Sequence, residues 1–118
     1  FVAMGNMGDS PTLMLNASVP AARKALKKSG LALSDIDLFE INEAFLVVAE
    51  KFIRDLGSGR EKVNVNGGAM ALGHPICAAG AVPIGTILDE LERQDKQFGL
   101  VTMCADVGMA PAIVIERL

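Results

Sequence analysis

Short apolar segments alternate with amphipathic ones along this chain, and that alternation restricts the fold more than any other feature of the sequence. Residues 38–41, 99–103 and 112–115 are brief apolar runs of the kind that form buried strands. Elsewhere apolar residues recur at helical spacing, which predicts helices with one buried face. The three predicted helices cover residues 18–29, 42–56 and 83–94. Strands that alternate with helices favour an α/β fold with a mostly parallel sheet.

Two weaker strands complete the predicted order β-α-β-α-β-α-β-β. Residues 1–5 are predicted to be the tail of a strand, followed by turn chemistry over residues 6–11. Val63 and Val65 alternate with asparagines and predict a further brief strand. The last two strands are expected to pair as an antiparallel edge. Ser18 and Asn42 stand where the N-caps of the first and second helices are expected.

Composition sets the class of protein and the partners to expect. The chain has 118 residues, 51% of them hydrophobic and 21% charged, which suits one domain with a sizeable core. Its net charge of -3 offers no basic surface, so we expect no nucleic-acid or membrane partner. Cys77 and Cys104 are expected to be free thiols. Because the sequence begins at Phe1, we expect a piece of a longer protein with a truncated first strand.

Three junctions between strands and helices carry side chains with useful chemistry: Asn42, His74 and Cys104. Functional groups in α/β sheets gather where strands end. The only histidine, His74, has a residue type suited to proton transfer near neutral pH and to donating to an oxyanion, although it could also be an idle loop residue. Cys104 could be a nucleophile, a proton carrier or a small buried hydrophobe. Asn42 could serve only as a helix cap.

Two other kinds of site are disfavoured by spacing. Cys77 lies three residues after His74 and could form a metal site with Cys104, but a zinc site normally has a second paired spacing. We therefore predict no metal. Gly67, Gly68 and Gly73 do not match the dinucleotide pattern G-x-G-x-x-G, and their role is expected to be close approach of the backbone to a ligand or loop.

Three ordered motifs resemble those of the C-terminal half of thiolases: EINEAF at residues 40–45, VNVNGGAMALGHP at residues 63–75 and TMC at residues 102–104. Flanking strings such as DIDLFE are similar too, so the likeness extends along nearly the whole chain. It is strongest to the acetyl-CoA acyltransferases of fatty-acid β-oxidation and acetoacetyl-CoA metabolism. The resemblance implies one domain, residues 1–118, with a mixed five-stranded sheet and helices on both faces. A similar N-terminal half that carries a cysteine nucleophile would be absent here.

The resemblance also implies an activity and a setting. Thiolases transfer an acyl group between a 3-ketoacyl-CoA and CoA, either by thiolytic cleavage or by the reverse Claisen condensation. CoA would be a substrate, and no cofactor is expected. The partners would be acyl-CoA or CoA, together with an N-terminal half or a second copy covering an apolar face. The compartment would be the cytoplasm in a bacterium and otherwise a mitochondrion or peroxisome. The isolated chain is expected to be inactive.

Roles follow from the resemblance for five residues. His74 would activate the nucleophile and donate to the thioester oxygen. Asn42 would hold a water that completes the same oxyanion hole. Cys104 would be the acid/base for the acetyl carbon or the CoA thiol. Ala44 and Phe45 would line the channel of the pantetheine arm.

The chain departs from the usual thiolase pattern beside two of its motifs. Cys77 stands where a glycine is usual, and Asp106 and Val107 replace the first two of three glycines, of which Gly108 remains. Asp106 and Gly108 are expected to border the CoA site and a second oxyanion hole. The departures leave open a degenerate, non-catalytic module that binds CoA or a partner chain. A ketosynthase-like enzyme is a weaker alternative, since the chain has one histidine.

Overall fold

The computed structural model describes all residues from 1 to 118 and contains four strands and four helices. The strands are β1 (Ala3–Gly8), β2 (Leu38–Ile41), β3 (Phe98–Thr102) and β4 (Met109–Glu116). The helices are α1 (Ser18–Ser29), α2 (Leu46–Leu56), the single turn α3 (Ala69–Leu72) and α4 (Ala81–Arg93). None of the helices combines the length and the apolar character needed to cross a membrane. The α/β class is confirmed.

The four strands form one mixed sheet in the order β1-β4-β3-β2. Only β2 and β3 are parallel, while β4 pairs antiparallel with both β3 and β1. The expected pairing of the last two strands is therefore confirmed, but β4 lies inside the sheet and not at its edge. The expectation of a mostly parallel sheet is wrong, because β1 adds a second antiparallel pairing.

A fifth strand does not form around Val63. Val63 makes one isolated parallel bridge to Phe39 in β2, and the chain then turns away at Asn64, whose φ is 48°. The side chain of Asn64 replaces the next rung of the ladder: its Oδ1 accepts the Ile41 N–H at 2.8 Å and its Nδ2 donates to the Ile41 carbonyl at 3.0 Å. The sheet therefore has four strands and not the five expected.

Strand β1 is longer at its carboxyl end than the sequence indicated. Asn6, Met7 and Gly8 pair with residues of β4, so the expected turn begins only at Asp9. The pairing partner of this segment lies more than a hundred residues away in the chain. Local turn chemistry was overridden by a long-range pairing.

Neither Ser18 nor Asn42 is the N-cap of its helix, contrary to the expectation. Ser18 is the first residue of α1 and is buried, with Ala17 at the cap position and no hydrogen bond to the Ser18 hydroxyl. Helix α2 begins at Leu46, four residues after Asn42. The Asn42 N–H donates to the Thr102 carbonyl at 3.0 Å, which continues the pairing of β2 with β3.

Alternate residues of the strands face two separate groups of helices. Helices α1 and α2 pack on one face, where Phe39 and Leu100 contribute to a cluster of 17 buried residues. Helix α4 packs on the other face, in a cluster of five buried residues that includes Leu38 and Val101. Gly5 permits the close approach of α1 to β1, because a Cβ there would lie 2.8 Å from the Ala21 carbonyl oxygen. Helices on both faces are thus confirmed.

Candidate active site

Asn42 and Cys104 lie together where the two parallel strands end. Ile41 pairs with Thr102 in the sheet, and Asn42 continues that pairing through its backbone N–H. The carboxyl ends of neighbouring parallel strands meet at one edge of the sheet. Cys104 lies at this edge, two residues after Thr102, whose carbonyl accepts the Asn42 N–H. Both residues are buried, with 5% of Asn42 and 7% of Cys104 exposed. The fold therefore places two of the expected site residues at the same edge of the sheet.

The side-chain amide of Asn42 has a donor with no partner. Its Nδ2 is buried and makes no hydrogen bond to any group of the chain. A buried polar group without a partner costs about 1–3 kcal/mol of stability, so such groups are uncommon unless a ligand or water uses them. The amide is thus free to donate to a bound molecule.

Cys104 carries a neutral thiol. Burial is the largest influence on this group and raises the pKa of the Cys104 thiol above its usual value. The thiol therefore keeps its proton at neutral pH, which suits a proton donor better than a nucleophile that must be a thiolate.

The loop after Cys104 is tight and holds two of the three residues that depart from the usual thiolase pattern, Asp106 and Val107. The Ala105 N–H donates to the Met109 carbonyl at 2.7 Å and closes the loop. Val107 is exposed in the left-handed region with a φ of 53°, and the Asp106 carboxylate accepts its N–H at 2.8 Å. Gly108 has a φ of 81°, and a Cβ there would lie 2.7 Å from the Asp9 carbonyl oxygen. Only glycine therefore fits at position 108.

His74 is exposed on the loop between α3 and α4 and makes no hydrogen bond. The loop is fixed before and after the histidine. The Met70 N–H donates to Glu43 Oε2 at 3.0 Å, and a Cβ on Gly80 would lie 3.7 Å from the sulfur of Met103. Residues before and after His74 thus contact the sequence neighbours of Asn42 and Cys104, and the imidazole makes no hydrogen bond to either residue.

Ala44 and Phe45 differ in their surroundings. Ala44 is half-buried and packs against the main core. Phe45 is 62% exposed and precedes the exposed Leu46 and Val47 at the start of α2. Phe45 therefore presents an open apolar surface and does not line an enclosed channel of this chain.

An apolar cavity of about 100 Å³ lies next to the end of β3. Gly80 and Met103 line it together with Ile84 of α4. It contains none of the expected site residues. No three histidine, cysteine, aspartate or glutamate side chains are grouped so that they could hold a metal ion.

Sequence reasoning missed two glutamates near the site. Glu40 is buried within β2, and its pKa is raised to about 8, first by burial and then by the negative charges of Glu43 and Glu90. The carboxylate of Glu43 accepts hydrogen bonds from Asn64 Nδ2 at 2.8 Å and from the Met70 N–H. A charged residue that interrupts an apolar strand was the available signal for Glu40. Glu43 had no such signal, because its partners are distant in the chain.

Comparison with known protein families shows to which family the chain belongs. Residues 1–117 match the family described as "Thiolase, C-terminal domain". The chain belongs to the thiolase family.

Several bacterial proteins named 3-ketoacyl-CoA thiolase are similar to this thiolase domain along almost its whole length. The protein from Citrobacter koseri is 50% identical over 119 residues, which cover 98% of this chain and 31% of that protein. The proteins from Serratia proteamaculans and Salmonella typhimurium are 47% and 48% identical with the same coverage. The thiolase domain thus spans 31% of the length of these relatives, and the family predicted from the three motifs is confirmed.

Proposed function

We propose that this thiolase domain supplies the oxyanion donors and the acid/base of a site that transfers acyl groups between a 3-ketoacyl-CoA and CoA. The observation that carries the proposal is that an unpartnered Asn42 amide and a neutral Cys104 thiol both lie at the carboxyl-terminal edge of the two parallel strands. The relatives' name, 3-ketoacyl-CoA thiolase, supports the substrate class. CoA is a substrate in this proposal, and no further cofactor takes part.

Asn42 and His74 stabilise the oxygen on which negative charge develops. The free Nδ2 of Asn42 donates to a water, and that water and the His74 imidazole both donate to the thioester oxygen. Removal of one such donor costs other enzymes about 10²–10³ in kcat, because a preorganised dipole is lost where charge forms. His74 also takes the proton of a nucleophilic thiol that a second chain segment provides.

Cys104 handles the proton at carbon. During cleavage the bond between the α- and β-carbons breaks, and its electron pair moves to the α-carbon of the departing acetyl-CoA. The Cys104 thiol gives its proton to that carbon and becomes a thiolate. The thiolate then takes the proton of the incoming CoA thiol, whose sulfur attacks the acyl-enzyme. The nucleophilic thiolate leaves and takes back its proton from the His74 imidazolium, so the site returns to its starting state.

The domain works with a partner in this proposal. The nucleophile comes from an N-terminal half, and that half or a second copy of the chain covers the apolar surface beside α4. Leu72 in α3, Ile76 in the following loop and Val82 in α4 are exposed. Apolar patches of this kind mark contact surfaces, so we propose that the isolated domain is inactive.

A chimera tests the proposal. These 118 residues replace the matching segment of the Citrobacter koseri relative, and thiolysis of acetoacetyl-CoA is measured. We expect turnover, and we expect His74→Ala to lower kcat by about a hundredfold or more, as for the loss of a general base. Cys77→Ala, an exposed residue of the same loop, is the matched control and leaves kcat unchanged. A folded chimera without turnover contradicts the proposal.

The role of Cys104 has its own test in the same chimera. Exchange of the methyl protons of acetyl-CoA with deuterium in the solvent reports proton transfer at carbon. Cys104→Ala is expected to abolish this exchange, whereas transfer of the acetyl group to the enzyme continues. Exchange at the wild-type rate in Cys104→Ala contradicts the assigned role.

A degenerate module that binds CoA or a partner chain without catalysis is the second candidate. Asp106 favours it, because its carboxylate stands beside a backbone position that the family pattern uses to stabilise negative charge, and it accepts the Val107 N–H. Replacement of Asp106 and Val107 by glycine in the chimera separates the two candidates. Turnover that is seen only in the chimera with both glycines supports the degenerate module. Turnover of the unmodified chimera excludes it.

A further inference from the structure

The carboxylate of Glu43 joins the end of β2 to the segment that leads into His74. Its Oε1 accepts a hydrogen bond from Asn64 Nδ2 at 2.8 Å, and its Oε2 accepts one from the Met70 N–H at 3.0 Å. Glu43 directly follows Asn42, and Met70 lies in α3, shortly before His74. One side chain therefore connects the strand end of Asn42 to the loop of His74.

Gly68 provides the space for this carboxylate. A Cβ at Gly68 would lie 2.4 Å from the carboxyl carbon of Glu43 and 2.5 Å from its Oε2. The φ of Gly68 is -144°, which any residue adopts. A larger residue at position 68 would therefore displace the Glu43 carboxylate from Met70.

Asn64 extends the connection back into the sheet. Its Nδ2 donates to the Ile41 carbonyl as well as to Glu43, and its Oδ1 accepts the Ile41 N–H. Asn64 can occupy its left-handed conformation because asparagine tolerates this region better than most residues. The hydrogen bonds therefore run without a break from β2 through Asn64 and Glu43 to Met70.

We propose that Glu43 is a positioning residue that fixes α3 against the end of β2 and thereby sets where His74 stands relative to Asn42 and Cys104. The two bonds require a carboxylate, since both partners are donors and an ionised carboxylate only accepts. A glutamine of the same size has one accepting oxygen, and its amide group would face one of the two donors. We call the two hydrogen bonds of the Glu43 carboxylate, to Asn64 and to Met70, the Glu43 clamp. The catalytic consequence rests on the proposed function, whereas the clamp itself does not.

Hydrogen exchange of the 118-residue chain tests the clamp without any need for activity. In Glu43→Gln we expect the amides of α3 to exchange about tenfold faster, because local opening becomes easier when a hydrogen bond is lost. Glu92→Gln removes an exposed charge on α4 and leaves this exchange unchanged. Gly68→Ala displaces the same carboxylate and is expected to act like Glu43→Gln. Its control is Gly8→Ala, where a Cβ meets nothing within 4 Å. Unchanged exchange in both Glu43→Gln and Gly68→Ala overturns the proposal.

Turnover of the chimera tests the consequence for His74. We expect Glu43→Gln to lower kcat by about tenfold or more with little change in KM, since a small misplacement of a reacting group is costly and Glu43 does not touch substrate in this account. Faster exchange of α3 with unchanged kcat overturns the positioning role. An unmodified chimera without turnover counts against the proposed function alone, and the exchange result then decides the clamp.

Discussion

The two faces of the sheet are covered by helices to different extents. On one face, α1 and α2 bury a cluster of 17 residues, and Phe39 and Phe52 pack there with ring centroids 6.3 Å apart. On the other face, α4 covers β2 and β3 with a cluster of five residues. The opposite side of β1 stays open, where Met4 is 54% exposed. The difference teaches that this chain covers one face of its sheet fully and the other face only in part.

Position along the chain does not explain the difference, because every strand contributes alternate residues to both faces. The first face is closed by the alanines of α1, which let the helix lie close to β1, together with the larger residues of α2. Helix α4 buries Ile87 and Leu91 against the sheet but leaves Val82 and Leu88 exposed on its outer side. A helix that is apolar on both sides is typical of a middle layer between two packed surfaces.

The largest expected effect is on the complete face. Phe52→Ala removes a side chain that is 1% exposed and should lower the free energy of unfolding by about 3–5 kcal/mol, because the cavity adds to the lost burial. Met4→Ala on the open face is the matched control and should change it by less than about 1 kcal/mol. Urea unfolding measures both. Equal losses would show that the two faces are equally complete.

A smaller effect is expected from the carboxyl group buried on the α4 face. The folded chain keeps the Glu40 proton up to about pH 8, whereas the unfolded chain loses it near the reference pKa of 4.5. The stability that the raised pKa contributes is therefore complete below pH 4.5 and is lost as the pH rises through 8. The loss should be on the order of a few kcal/mol.

Glu40→Gln should remove most of this pH dependence, because glutamine cannot ionise. Unfolding midpoints measured between about pH 5 and pH 9 should decline for the unmodified chain and for the exposed control Glu92→Gln, but much less for Glu40→Gln. The Glu90 carboxylate does not affect this comparison. Its pKa is lowered, chiefly by a hydrogen bond from Arg93 and further by hydrogen bonds from Asn66 and Gln94, so its contribution to stability is lost only in acid. The same decline in Glu40→Gln would contradict the assignment.

The smallest effect on stability, and the clearest effect on assembly, is expected on the outer side of α4. Leu88→Lys should change the free energy of unfolding by less than about 0.5 kcal/mol, as for other exposed positions. It should nevertheless reduce self-association in sedimentation experiments, because a charge opposes burial of the apolar surface. Leu13→Lys, at a position 68% exposed between β1 and α1, is the control away from α4. An unmodified chain that remains a monomer at all concentrations would contradict the open-face account.

The sequence predicted elements whose signals are local. Helices α1 and α4 were predicted closely by the spacing of their apolar residues, and Gly30 ends α1 in the left-handed conformation that glycine favours. Strand β2 was predicted at its observed residues. The placement of Asn42 and Cys104 at one edge followed from the general behaviour of parallel strands.

The features that were missed depend on contacts between distant residues. The loss of the strand at Val63 follows from the bonds between Asn64 and Ile41, and the added length of β1 follows from pairing with β4. Asn42 has the right residue type for a cap, but its backbone continues the sheet. No local pattern distinguishes these cases, because the competing partner lies elsewhere in the chain.

Energetic coupling between Asn42 and His74 is the most direct test of whether one oxygen of the substrate is held by both. Turnover of the chimera is compared for Asn42→Ala, His74→Ala and the double variant. If the two donors share that oxygen, the double variant loses less than the product of the single losses, with a coupling of about 0.5–3 kcal/mol. Single losses that multiply would show that the two side chains act independently, and the account of a common site would be wrong.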